Sequence, residues 1–138
     1  MDWVLDASIA LAWALPDETS LQADRFLSRV SGKDLLWVPS LWWYEVANAL
    51  ILAERRKRLT EADGIKLGEL YRMLPIKTDI IIGPETIERL CTLAREYCLS
   101  AYDAAYLELA LRKGLRLATL DQNLQSAGRK AGVRILWR

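Results

Sequence analysis

Histidine is absent from this 138-residue chain, and cysteine occurs only twice. A zinc site, a Ser-His-Asp triad and a Cys-His pair are thereby excluded as its chemistry. Cys91 and Cys98 fall seven positions apart in a stretch that reads as helix, about 10 Å along the axis. That separation is too long for an unstrained disulfide. Neither sign of charge is in excess: 19 basic residues face 18 acidic ones, for a net +1. A protein that coats nucleic acid through bulk charge is excluded, so any contact with nucleic acid has to be local and directed. Long apolar runs are missing too. The longest, Ala7 to Leu15, is interrupted by Ser8 and too short to span a bilayer, and no basic segment precedes it as in a signal peptide. The expectation is a reduced, soluble, cytoplasmic protein with no membrane contact.

What is present describes one ordinary domain over residues 1–138. Hydrophobic residues make up 52% and charged residues 27%, and a chain of this length buries roughly two-thirds of its unfolded surface. Strand-like runs alternate with helical ones, which predicts an α/β domain on a mostly parallel sheet of four to five strands. Trp3-Val4-Leu5 is the first strand. Ile9 to Ala14 begins a helix that Pro16 interrupts, and Thr19 to Val30 resumes it. Leu35 to Val38 is the second strand, followed by Ser40 as the cap of a helix from Leu41 to about Arg56. Thr60 and Asp63 form a capping-box pattern for a helix ending near Leu74. Ile76 to Ile82 reads as the third strand, and Pro84 opens a helix to Tyr97 carrying both cysteines. Ser100 caps the next helix, which Gly114 ends. Leu115 to Thr119 is the fourth strand, and a short helix from Asn123 to Lys130 precedes a last strand, Val133 to Trp137.

Ligands of open parallel sheets bind beyond the carboxyl ends of the strands. Asp6 and Asp121 each follow a strand there. Glu45 lies in the helix after the second strand, and Asp103 in the first turn of the helix before the fourth. The four acids can therefore meet at one rim. Each has a plainer use as well. Asp6 suits a helix cap, Asp103 completes Ser100-x-x-Asp103, and Asp121 suits an Asx turn. Glu45 is a lone acid among Trp42, Trp43, Tyr44, Val46, Ala47, Ala49 and Leu50, where an unpaired charge costs several kcal/mol; its plainer use is a salt bridge to Arg or Lys. Asn48 shares its face. Carboxylates without nitrogen or sulfur ligands select hard divalent cations, so Mg²⁺ or Mn²⁺ is the expected partner.

Val4-Leu5-Asp6-Ala7-Ser8, Tyr44 to Leu50, Leu99 to Leu107 and Leu117-Ala118-Thr119-Leu120-Asp121 together resemble the PIN-domain nucleases, in particular the VapC-type toxins of prokaryotic toxin-antitoxin pairs. The resemblance covers almost the whole chain, with all four motifs in order. It implies a three-layer α/β/α sandwich and a Mg²⁺- or Mn²⁺-dependent endoribonuclease that hydrolyses RNA. Asp6, Glu45, Asp103 and Asp121 would hold the ion, supported by Ser8, Asn48 and Thr119. It also implies a homodimer and a cognate antitoxin that enters the groove.

Setting the four acids aside leaves 19 basic against 14 acidic residues, a balance of +5 that draws an RNA backbone toward the rim. The densest basic run, Arg55 to Arg58, suits a solvated helix C-terminus. Trp42-Trp43 suits base stacking or an interface, with at least one ring in the core. Two other functions compete. A receiver-like phosphoryl-transfer domain also gathers acids at strand ends, but it asks for a lysine after a late strand, and Leu117 to Leu120 offers none. A PIN fold acting as a non-catalytic RNA- or protein-binding module has no need of all four acids.

Overall fold

The computed structural model describes residues 1–137. Its elements in chain order are β1 (Asp2–Leu5), α1 (Ala7–Ala14), α2 (Leu21–Arg29), β2 (Leu35–Pro39), α3 (Leu41–Arg55), α4 (Glu61–Met73), β3 (Ile76–Asp79), α5 (Pro84–Tyr97), α6 (Ala101–Lys113), β4 (Arg116–Ala118) and α7 (Gln122–Lys130). Between α1 and α2 the chain makes a single 3₁₀ turn at Pro16–Glu18, because proline has no N–H to continue the preceding helix. Among the described residues no helix is long and apolar enough to cross a membrane.

The four strands form one parallel sheet in the order β3-β2-β1-β4. Parallel strands need helical crossovers, which cover both faces of the sheet. Accordingly Val4 and Leu5 of β1, Leu36 and Val38 of β2, and Leu117 and Ala118 of β4 are wholly buried. One helical layer is α6, packed on β1, β2 and β4 with α5 and α7 against it. The other is α1 with α2, α3 and α4. This is the expected three-layer sandwich. Register matters for function. Leu5 pairs with Ala118, and the ladder continues one step further through the Asp6 N–H to the Ala118 carbonyl, so Asp6 and Thr119 leave the sheet side by side.

Local signals account for most element ends. The Ser20 hydroxyl accepts from the Ala23 N–H at the start of α2, and Thr60 with Asp63 forms the complete capping box of α4. Gly114 closes α6 with φ +65, a left-handed conformation natural to glycine. The core holds Trp42, fully buried and edge-on to Tyr71, whose hydroxyl donates to the Ala10 carbonyl at 2.8 Å. Of the tryptophan pair only Trp42 is core. Trp43 lies 41% exposed and donates its indole N–H to Thr78.

Several expectations are corrected. β3 stops at Asp79, and Ile80, Ile81 and Ile82 lie exposed. High strand propensity alone does not extend a strand past the point where its neighbour β2 ends. Val133 to Trp137 is not a strand. It touches β4 through one bridge, Leu117 to Ile135, because Gly132 at φ +83 turns the chain only briefly alongside the edge. Ser40 does not cap α3. It is already helical, and its hydroxyl donates instead to the Asp79 carbonyl. Cys98 is the left-handed C-cap of α5 rather than part of the helix, and both thiols are free.

Candidate active site

Asp6 follows the fully buried Leu5 and is itself only 6% exposed. It occupies the N-cap position of α1 but makes no capping bond. One carboxylate oxygen, Oδ2, accepts instead from the Ser8 hydroxyl at 2.7 Å and the Thr119 hydroxyl at 2.6 Å. Those hydroxyls are held in turn by backbone. Ser8 Oγ accepts from the Leu120 N–H and Thr119 Oγ1 from the Asp121 N–H, both at 3.0 Å. Gln125 anchors the same turn by donating to the Thr119 carbonyl. The short polar residues at the ends of β1 and β4 thus form a rigid clasp, which leaves Asp6 Oδ1 directed away from these bonds.

The other acids arrive from three helices. Glu45, half-buried in the second turn of α3, accepts at Oε1 from the Tyr106 hydroxyl at 2.5 Å. Among the described residues no lysine or arginine pairs with it, so the salt-bridge alternative is not realised. Asp103 shows only half of the expected capping box: Ser100 accepts from the Asp103 N–H, and no bond returns from the Asp103 carboxylate. Asp121 does serve as a cap, its Oδ1 accepting from the Leu124 N–H at the start of α7 at 2.9 Å. Oδ2 of Asp121 remains outside that bond. Asn48 is exposed on α3 and makes no hydrogen bond to these acids.

Electrostatics show that the four carboxylates share one region. Burial raises the Asp6 carboxyl above its ordinary range; the Thr119 and Ser8 hydroxyls oppose this, while the charges of Asp103 and Asp121 add to it. Burial likewise raises Glu45, against the Tyr106 hydrogen bond and with the help of Asp6 and Asp103. Asp103 is raised by burial and then by Asp121. Asp6 and Glu45 thus each feel two of the other acids and Asp103 feels one, and among the described residues no base pairs with any of the four.

An all-oxygen, acid-rich site of this kind fits a hard divalent ion. The fit is an open one. Among the described residues no three acidic, cysteine or histidine side chains stand close enough to form a ready-made cage. Mg²⁺ tolerates this, since it keeps several waters and takes one or two carboxylates from the protein.

Tyr106 escaped the sequence reading, although its signal was present. It lies three positions after Asp103 and so shares that helix face, and it is an aromatic residue with a polar end in an otherwise apolar run. Gln125 carried no comparable signal.

Comparison with known proteins agrees with this architecture. The PIN-domain family model matches residues 3–130. The chain is 34% identical to Ribonuclease VapC3 of Pyrobaculum aerophilum over 128 residues, 90% of this chain and 92% of that protein. Its fold resembles the crystal structure of PAE2754 from Pyrobaculum aerophilum, with a TM-score of 0.70 and 24% identity over 99% of this chain and 84% of the other. A toxin-antitoxin complex from Klebsiella pneumoniae shares the fold at a TM-score of 0.58 and 19% identity, over 86% and 85% of the two chains. With the family model spanning nearly every element from β1 to α7, and a ribonuclease relative aligned over nine-tenths of the sequence, the chain belongs to the PIN-domain family, in its VapC-type branch.

Proposed function

We propose that this protein is a Mg²⁺- or Mn²⁺-dependent endoribonuclease and the toxin of a toxin-antitoxin pair. The observation that carries the reading is the convergence of Asp6, Glu45, Asp103 and Asp121, unpaired with any base among the described residues, at the carboxyl end of the sheet in a chain similar to a VapC ribonuclease. Asp6 presents Oδ1 because Ser8 and Thr119 engage Oδ2. Tyr106 fixes Glu45 across from it. Asp103 and Asp121 close the rim from α6 and α7. A bound divalent ion would supply an acidified water and charge neutralisation for the phosphodiester. Asp6, Glu45, Asp103 and Asp121 would hold that ion, and without a cation their charges repel the RNA backbone, which makes activity conditional on it.

The partner in this reading is an antitoxin protein, supported by the fold shared with the Klebsiella pneumoniae toxin-antitoxin complex. A homodimer is supported by exposed apolar side chains at Ile80, Ile81, Ile82, Ile87 and Leu111. The test is cleavage of purified RNA by the purified chain with Mg²⁺ or Mn²⁺. Asp6→Asn and Asp103→Asn each abolish it, and chelation of the ion stops the native protein. Cleavage retained in both variants refutes the assignment of the site.

A further inference from the structure

A second cleft, of about 630 Å³, lies away from the carboxylates. Its walls include Trp3, Arg29, Arg116, Arg129, Val133 and Arg134. Trp3 and Arg116 are register partners near the starts of β1 and β4, whereas Asp6 and Asp121 follow the ends of those strands. The cleft and the acids therefore occupy opposite ends of the sheet. A smaller cleft of about 370 Å³ adjoins it and shares Arg116, Val133 and Arg134.

Four guanidinium groups thus line one concavity, and among the described residues none forms an ion pair. Arg58 pairs with Asp17 and Glu18, Arg89 with Glu108, and Arg112 with Asp79 and Glu108. Other arginines such as Arg25 and Arg72 are unpaired among the described residues as well, and what sets these four apart is that one cleft gathers them. Helix dipoles account for two of the four positions, since Arg29 and Arg129 stand in the last turns of α2 and α7. They do not account for Arg116 on a strand or Arg134 in the tail. Internal contacts leave most of the donors free. Arg116 lies over the Trp3 ring, 5.4 Å from its centroid, and Arg129 uses one nitrogen on the Trp137 carbonyl.

A guanidinium fork pairs bidentately with phosphate oxygens, and four arginines lining one cleft supply several such donors. Val133 and Leu136 add an apolar wall beside them. The volume falls in the range of small-molecule sites and is sufficient for a nucleotide. We propose that this cleft binds a phosphorylated small molecule of nucleotide size, held through its phosphates by Arg116, Arg134, Arg29 and Arg129. The site is independent of the carboxylates and stands whether or not they cleave RNA.

The experiment is calorimetric titration of the full chain with inorganic pyrophosphate, inorganic tripolyphosphate, adenosine triphosphate and adenosine, all in chelator so that the acidic rim contributes no metal-bridged binding. The three phosphate compounds are expected to bind and adenosine is not. Arg116→Gln/Arg134→Gln is expected to weaken binding at least tenfold, and the control Arg55→Gln/Arg56→Gln is expected to leave it within twofold. Arg134→Gln alone, at an exposed position, carries the same test should the double variant fold poorly. Adenosine triphosphate binding well above inorganic tripolyphosphate, which has the same number of phosphates, identifies a nucleotide as the ligand, and equal binding of these two identifies free phosphate chains. Absence of binding by all three phosphate compounds, equal binding of adenosine, or equal weakening in the control pair overturns the proposal.

Discussion

Replacing Tyr106 by Phe removes one oxygen from the protein and nothing else. The ring is fully buried and Phe fills the same space, so no cavity opens. What is lost is the hydrogen bond to Glu45 Oε1. A bond to a charged acceptor contributes about 1.5–3 kcal/mol. Glu45 is only half-buried, so water recovers part of that loss, and the net cost is about 1–2 kcal/mol. For a chain of this length the unfolding entropy is roughly 0.3 kcal/mol per kelvin, so Tm falls by about 3–7 °C. Burial pushes the Tyr106 hydroxyl pKa far up, so the native residue remains a donor throughout the accessible pH range. The second effect is on the site. Without its donor Glu45 is free to turn and its carboxyl moves further up, so the rise in Tm produced by Mg²⁺ becomes smaller. Calorimetric melts of both proteins, with chelator and with Mg²⁺, measure the two effects separately. A variant that melts with the native protein and gains equally from Mg²⁺ refutes the claim that Tyr106 positions Glu45.

Asp6→Asn is expected to raise Tm by a few degrees in chelator at neutral pH while eliminating most of the Mg²⁺ effect, since an amide oxygen keeps both hydroxyl bonds and removes a charge from the cluster. The sign follows from linkage. Asp6, Glu45 and Asp103 have native pKa values above the ordinary 3.8, 4.5 and 3.8; the stability they contribute is complete below about pH 4 and is lost as pH rises and the unfolded chain ionises first. The melting difference between native protein and Asp6→Asn therefore widens from pH 4 upward in chelator, and a difference independent of pH contradicts the shared anionic region. Arg112→Met strands Asp79, which is 9% exposed and bound by Arg112 at 2.6 Å. The loss is about 2–3 kcal/mol, or roughly 6–10 °C in Tm, read by thermal denaturation.

Much of this molecule is legible because local chemistry and tertiary position agree. Thr60 with Asp63, Ser100, Pro84 and Gly114 mark helix ends in the sequence and do so in the structure. The alternation of elements sufficed for the sheet and for placing Asp6 and Asp121 at its carboxyl end. The failures share one cause, which is that strand length and side-chain partners depend on neighbours distant in sequence. Ile80 to Ile82 have the composition of a strand and nothing to pair with. Ser40 has the composition of a cap, yet its hydroxyl finds a carbonyl 39 residues away. The plainer uses of the acids divided for the same reason. Asp121 is a cap with one oxygen to spare, whereas Asp6 forgoes capping because Thr119, unseen from its own segment, stands within hydrogen-bond reach.

The bond between Thr119 and Asp6 joins positions 113 residues apart, and β4, the last strand, is hydrogen-bonded to β1, the first. A growing polypeptide on the ribosome therefore has no clasp for Asp6 until almost all of the domain has emerged, and closing so long a loop makes that final step slow. Competence for chemistry arrives together with completion of the fold rather than accumulating during synthesis.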